Sequence, residues 1–367
     1  MTKYKGISMA LVVAMMMTAA GCSGGSSAES ETQAQTQTSA PETETEAAES
    51  ETESETQAAG GLAEGQMYSF LSGEPIDSSI GMQRPVAVMI NNIEEATPQQ
   101  CGTSQADILY EAIVEGGITR LMAVFQDTSK IEKVGSVRSA RHNYIDFANN
   151  FDAIYCHYGR SYYALERIAQ DGIQTVSEYV SSAYFQDNNY PAPHHIFASG
   201  ETLEAGIAEI GEERNLPEDY EGCFVLNTED IEPDYGTIAN TVAIPYTFSQ
   251  PTLEYDSTTK LYNKFQYGAA HTDANTGEQL TFKNIIIQYA DYQTIADSVE
   301  GCQDITLDGE GDAIYITDGK AINVTWKRAD KNDQTRYYTE DGQQLSMNPG
   351  KTYIAVVPLD FNITLSE

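Results

Sequence analysis

Between Ser23 and Gln66 the chain carries ten glutamates, no lysine or arginine, and almost no large apolar side chain. A segment of that kind has too little apolar surface to offset the entropy lost on ordering it. Whatever folds is therefore confined to the residues that follow. Like charges along Pro41-Glu42-Thr43-Glu44-Thr45-Glu46 repel one another, so 23–66 is expected to be an extended, solvated tether whose role is reach.

The residues ahead of the tether say what it would be tied to. Lys3 and Lys5 precede an apolar run from Ile7 to Ala20, which meets Ala19-Ala20-Gly21-Cys22. The run is too short and wrongly flanked for a spanning helix, and 1–22 reads as a secretory signal. Small residues immediately before a cysteine resemble the lipobox of bacterial lipoproteins, although Ala19 stands where Leu is commonest. That resemblance implies cleavage before Cys22 and attachment of lipid, palmitate included, at its sulfur. The expected location is the extracytoplasmic face of the bacterial cell membrane, with the membrane itself as a partner through the lipid anchor at Cys22.

Charge narrows the classes of partner further. With 55 acidic and 20 basic residues the formal net charge is −35, whereas nucleic acid and anionic bilayers are gripped by clustered Lys and Arg. No nucleic-acid partner is expected. Beyond Cys22 four cysteines remain, Cys101, Cys156, Cys223 and Cys302, and no Cys-x-x-Cys pair occurs, so no metal site is expected. An oxidising compartment permits a Cys223–Cys302 disulfide, but spacing alone leaves it open. Neither a Gly-x-Ser-x-Gly elbow nor a phosphate-binding Gly-x-x-x-x-Gly-Lys-Ser/Thr loop is present, and no cofactor is called for.

From Arg84 onward the pattern is that of a folded body. Pro85 to Ile90 is a short apolar strand ending in the turn signal Asn91-Asn92. Ser104 with Asp107 predicts a capped helix through Ile113, stopped by Gly116-Gly117, and Ile118 to Phe125 predicts a second strand. Ser139 is placed to cap a helix, Asp152 to Tyr158 makes a third strand, and Ser161 opens another helix. This alternation predicts an N-terminal α/β layer with a largely parallel sheet over 67–220. The acidic stretch from Pro217 through Asp234 reads as the crossing between domains. From Ala239 the period becomes two, punctuated by Asp318-Gly319, Asp341-Gly342 and Asn348-Pro349-Gly350, which predicts a mainly antiparallel β domain over 221–367. The fold class expected is thus α+β with two domains.

In a parallel sheet, ligands sit beyond the carboxyl ends of the strands. The polar residues there are Asn91 and Asn92, Arg138 and Arg141, and His157, Tyr158 and Arg160. Arg138 and Arg141, three apart at a helix start, would lie beside free backbone N–H groups and favour a phosphate or carboxylate. The alternative is that they pair with local carboxylates such as Asp146 or Asp152. Glu111, Glu115 and Arg120 read instead as a structural ion-pair set. His194-His195 follows the rigid Pro191-Ala192-Pro193, so His194 or His157 is a candidate acid/base, although adjacent loop histidines are usually surface or hinge residues. The aromatic run Tyr155, Tyr158, Tyr162, Tyr163, Tyr184, Phe185 and Tyr190 suits either packing or a stacking surface.

Four motifs in order, Arg84 to Asn92, Ala106 to Glu111, Glu115 to Leu121 and Gly135 to Arg141, resemble the YerB-like bacterial lipoproteins. Asn284-Ile285-Ile286-Ile287, Val324-Thr325-Trp326-Lys327, Asp341-Gly342 and Pro349-Gly350-Lys351-Thr352-Tyr353 are similar to that family's second domain. His195 stands where Asn is usual, and Tyr353 where Trp is usual. The resemblance implies a membrane-attached, two-domain lipoprotein and supplies no reaction. The residues point to a binding or accessory envelope protein whose first-domain cleft takes an anionic cell-wall component or a peptide through Asn91, Asn92, Arg138, Arg141, His157 and Arg160. A hydrolase or transferase on an anionic wall polymer, and a scaffold that docks an envelope protein, are the two alternatives.

Overall fold

A strand such as Val86-Ala87-Val88-Met89-Ile90 is apolar at every position, so it has to be covered on both faces, and that requirement organises the whole body. The computed structural model describes residues 61–367, all within one compact unit. The signal segment, Cys22 and the tether up to residue 60 lie outside the described residues.

A ten-stranded mixed sheet carries the fold. Its strands are β1 (Val86–Asn92), β2 (Ile108–Ile113), β3 (Thr119–Phe125), β4 (Ile154–Cys156), β5 (Thr237–Ile238), β6 (Asn284–Ala290), β7 (Gly309–Thr317), β8 (Lys320–Arg328), β9 (Arg336–Tyr338) and β10 (Thr352–Pro358). The order across the sheet is β5-β8-β7-β6-β10-β2-β3-β1-β4, with β9 also paired to β8. The two halves of the chain therefore share one sheet, because β10 runs parallel to both β6 and β2. Helices are few: α1 (His142–Asn149), α2 (Tyr162–Asp171) and α3 (Gly200–Ile210) are the three of eight residues or more among the described residues.

Side chains alternate between two cores. Val86, Val88, Ile90, Leu121, Ala123 and Phe125 point into one, shared with α3 and with a six-stranded second sheet built mainly from Thr241–Ala243, Thr252–Asp256 and Leu261–Gln266. Ala87, Met89, Tyr110, Met122 and Val124 point into the other, which α1 covers with Tyr144, Phe147 and Ala148.

Two expectations are corrected here. The segment expected as a helix from Ser104 is instead β2, and Asp107 accepts from Gln126 N–H (2.8 Å) rather than capping a helix. A short apolar run has no periodicity that separates buried strand from helix, and burial on both faces decides for the strand. The N-terminal part of the sheet is also not largely parallel, since β3 runs antiparallel to both β1 and β2 and only β4 is parallel to β1. The antiparallel hairpins of the C-terminal half do form. The β7–β8 hairpin turns on Asp318-Gly319, both at positive φ (48° and 74°), as a tight hairpin turn requires. Ser161 caps α2 by accepting from Ala164 N–H, and Ser199 forms a capping box with Thr202 on α3.

Candidate anion-binding site

At the end of β1 the sheet changes neighbours. β4 pairs only with Val86 to Val88, and beyond it the strip Ser136 to Arg138 takes its place. Asn91 N–H donates to Ser136 O (3.0 Å), Arg138 N–H to Met89 O (2.9 Å) and Tyr158 N–H to Arg138 O (3.0 Å). Val137 lies opposite Ile90 in the first core, so by the two-residue period Arg138 falls on the other face, with Asn91. Asn91 is the register partner of Arg120 on β3, and antiparallel partners share a face. Strand geometry alone thus delivers three polar side chains to one corner of the sheet.

The 191–194 loop closes that corner. Asn91 Nδ2 donates to His194 Nδ1 (2.8 Å), and Arg138 Nη1 donates to Pro193 O (3.1 Å). Burial, then the Arg138 charge, hold His194 below its ordinary pKa, with Glu95 acting against them. Arg141 is the N-cap residue of α1 but uses its guanidinium elsewhere: it pairs with Glu115 and donates to Ser139 O (3.2 Å) and Ala140 O (2.9 Å).

Arg120 is the unusual member. It is 7% exposed, donates to Ser139 O (2.5 Å), and has no ion-pair partner within 4 Å among the described residues. Burial, then the like charge of Arg141, push its pKa down to about 9, partly opposed by Glu115. It remains a cation at neutral pH. Arg138 is likewise lowered by burial and by Arg141, and its buried Nε has no hydrogen-bond partner, nor has the buried Ser136 Oγ nearby. Glu115 pairs with Arg141 and acts on Arg120 at longer range, whereas Arg138 has no carboxylate in contact among the described residues, in a chain of net charge −35. Such a cluster favours a phosphate or carboxylate, which would accept from the guanidinium forks and relieve the repulsion among them.

The structure brings Asn91, Arg138, Arg141 and His194 together and leaves the other candidates elsewhere. His157 is fully buried; its Nδ1 donates to Gly159 O (2.8 Å) and its Nε2 accepts from Thr175 Oγ1 (2.9 Å). Both ring nitrogens are used, and burial pushes its pKa down to about 4, so it is a neutral structural residue. Arg160 pairs with Glu178 (2.7 Å) and stands over the Tyr179 ring (4.8 Å). Asn92 faces the opposite core. Asp146 and Asp152 do not take the site arginines: Asp146 holds Arg167 and Arg328, and Asp152 holds Arg84. Of the aromatic run, Tyr155 is buried, and Tyr158 and Tyr184 meet edge to face, whereas Tyr162 is exposed. Arg120 is the site residue that sequence reasoning assigned to another role; only the β1–β3 register reveals it.

Glu111 is not Arg120's partner. Fully buried, it accepts from Tyr353 Oη (2.7 Å), Ser249 Oγ (2.7 Å) and Thr119 Oγ1 (2.8 Å), with Lys264 Nζ at 3.5 Å. Lys264 Nζ donates to His271 Nδ1 (3.1 Å), His271 Nε2 donates to Gln100 Oε1 (2.7 Å), and Gln100 Nε2 donates to Asn91 O (2.5 Å) and Asn92 Oδ1 (3.0 Å). Burial lowers the proton affinity of Lys264, which Glu111 resists, and burial with Lys264 lowers that of His271. Sequence reasoning missed Lys264, His271 and Gln100, which are far apart along the chain.

The four cysteines Cys101, Cys156, Cys223 and Cys302 are free and buried, so the Cys223–Cys302 bridge is not formed. Among the described residues, one group of donors lies within metal-ligating reach, Glu115, Glu300 and Cys302, but Glu115 is already committed to Arg141. No helix among the described residues is long and apolar enough to cross a membrane.

A β-rich body in which N- and C-terminal segments share one sheet is the class these features define. Residues 71–213 match the family model described as "Protein of unknown function (DUF3048) N-terminal domain", and 242–354 match its C-terminal domain. The chain is 30% identical over 299 residues to the Bacillus subtilis protein described as "Putative lipoprotein YerB", covering 78% of this chain and 85% of that one. It is also similar to the crystal structure of the YerB protein from Bacillus subtilis, with TM-score 0.70 and 29% identity over 81% of this chain and 99% of that one. This chain belongs to the YerB-like lipoprotein family.

Proposed function

We propose that the protein is a lipid-anchored binding protein of the cell envelope, held at the extracytoplasmic face of the membrane through Cys22. Its N-terminal half takes a phosphate or carboxylate group of an envelope component between Arg120, Arg138, Asn91 and His194. The observation that carries this reading is Arg120, a buried cation without a carboxylate in contact, set beside two further guanidinium groups. Taking a charge out of water uncompensated is costly, and a bound anion supplies the compensation. Of the two candidate acid/base histidines, His157 has both ring nitrogens engaged and lies outside the cluster, which leaves His194, held by Asn91, as the one imidazole at the corner.

The test is calorimetry of the full-length chain in detergent with inorganic phosphate, acetate and poly(glycerol phosphate), beside Arg138→Ala. Saturable, salt-sensitive binding that weakens about tenfold or more in the variant is expected, from the loss of one charge-assisted contact. Absence of binding by the folded parent protein refutes the reading.

A further inference from the structure

A cleft of about 910 Å³ opens at the other edge of the main sheet. β5 pairs with Lys320 and Ala321 of β8, and β9 with Thr325 to Lys327. Between them Ile322, Asn323 and Val324 have no strand on their outer side among the described residues. Ala239 N–H donates to Gly319 O (2.8 Å) on that side. Outward peptide groups recur at every second residue of an antiparallel strand, so the N–H and C=O of Asn323 face the gap. Glu232 and Asp234 form one wall, and Glu340 and Asp341 the other. No lysine, arginine or histidine lines the cleft, while Ile231 and Tyr235 at its rim are 54% and 57% exposed. Six strand spacings, roughly 29 Å, separate β8 from β1, so this cleft is independent of the arginine cluster.

We infer that the cleft is a docking site for an extended, lysine- or arginine-bearing peptide segment of a partner protein. The segment sets one residue's backbone against Asn323, and its basic side chains reach the acidic walls. An uncovered stretch of sheet edge is a template for another chain, and the opening of about 10 Å along β8 limits that pairing to one residue. Charge supplies the remainder and selects the sign of the partner. The volume lies within the range of sites that enclose a small ligand or a short peptide.

The experiment is fluorescence anisotropy of the full-length chain with a fluorescein-labelled alternating lysine–valine hexapeptide. Its glutamate–valine counterpart and a backbone N-methylated lysine–valine peptide are the comparison probes. The lysine peptide is expected to bind saturably and the glutamate peptide not at all. The exposed triple variant Glu232→Gln, Asp234→Asn, Glu340→Gln, with an unchanged urea midpoint, should bind about tenfold more weakly. The N-methylated probe should weaken against the unaltered protein, and Arg138→Ala should bind as the parent does. Equal affinity for both peptide charges, undiminished binding by the triple variant, or no binding by the folded parent overturns the inference. Unchanged affinity for the N-methylated probe overturns the edge pairing at Asn323.

Discussion

His157 offers the sharpest test of how burial has divided the histidines between structure and site. In the unfolded chain its imidazole takes up a proton as pH falls through about 6.5. In the folded protein, burial, opposed by Gly159 O and Glu178 and aided by Arg160, delays that proton until about 4. Between those two values the unfolded state binds more protons, so stability falls as pH falls and levels off below the folded value. The gap is worth about 3 kcal/mol. His157→Gln keeps a donor for Gly159 O or an acceptor for Thr175 but has no proton to gain. Urea midpoints of the two full-length proteins between pH 4 and 7.5 isolate the effect, because the many carboxylates contribute equally to both. The advantage of the parent over the variant should shrink by about 3 kcal/mol from pH 7 to pH 4. An advantage that stays constant across that range would refute the claim that His157 is held neutral by burial, and would restore it as a candidate acid/base.

Lys264→Met should lower the unfolding free energy by about 3–5 kcal/mol in urea titrations, because Glu111 is left buried without its cation; adding Glu111→Gln should recover part of that loss. Gly200→Ala should cost about 1–3 kcal/mol by the same measurement, since a Cβ there would stand 1.9 Å from Thr128 O, a backbone atom that cannot swing aside. Gln100→Leu should weaken phosphate binding several-fold in calorimetry with Arg138 intact, because Asn91 O loses its donor and the site its support. Iodoacetamide added to the denatured chain without reductant should label Cys101, Cys156, Cys223 and Cys302, as mass spectrometry of the peptides would show.

How much of this was legible depended on whether a residue's partner was near in sequence. The hairpins of the second half are written in alternation and turn residues, and Asp318-Gly319 turns where its backbone needs left-handed φ. The helix start at Ser161 is likewise local, although Arg141 rather than Ser139 precedes α1. Residues 108–113 misled because six apolar-rich residues carry no period when both faces are buried. For the site, Asn91 and Arg138 were legible within the wider polar set beyond the strands, and His194 separately as an imidazole on a rigid proline loop. Arg120 was not, because its place depends on the antiparallel register of β1 with β3. His157 was over-read for the opposite reason: its partners, Gly159 O and Thr175 Oγ1, give no signal in the sequence.

The buried network ties the two family segments to each other. Glu111, Asn92, Thr119 and Gln100 come from the first segment, and Ser249, Lys264, His271 and Tyr353 from the second. Gln100 is the junction, since it accepts from His271 on one side and donates to Asn91 O on the other, while the side chain of Asn91 holds His194. A second-segment histidine thus fixes, through one amide, the backbone that presents the site residues of the first. Buried polar groups are costly unless every member is satisfied, so a partly formed network would be worse than an apolar interface. Either segment alone would expose Glu111 or Lys264 without its partner, and parallel β10 would have no β2 to lie against. The arginine corner therefore rests on contributions from both segments even though all its own side chains come from the first.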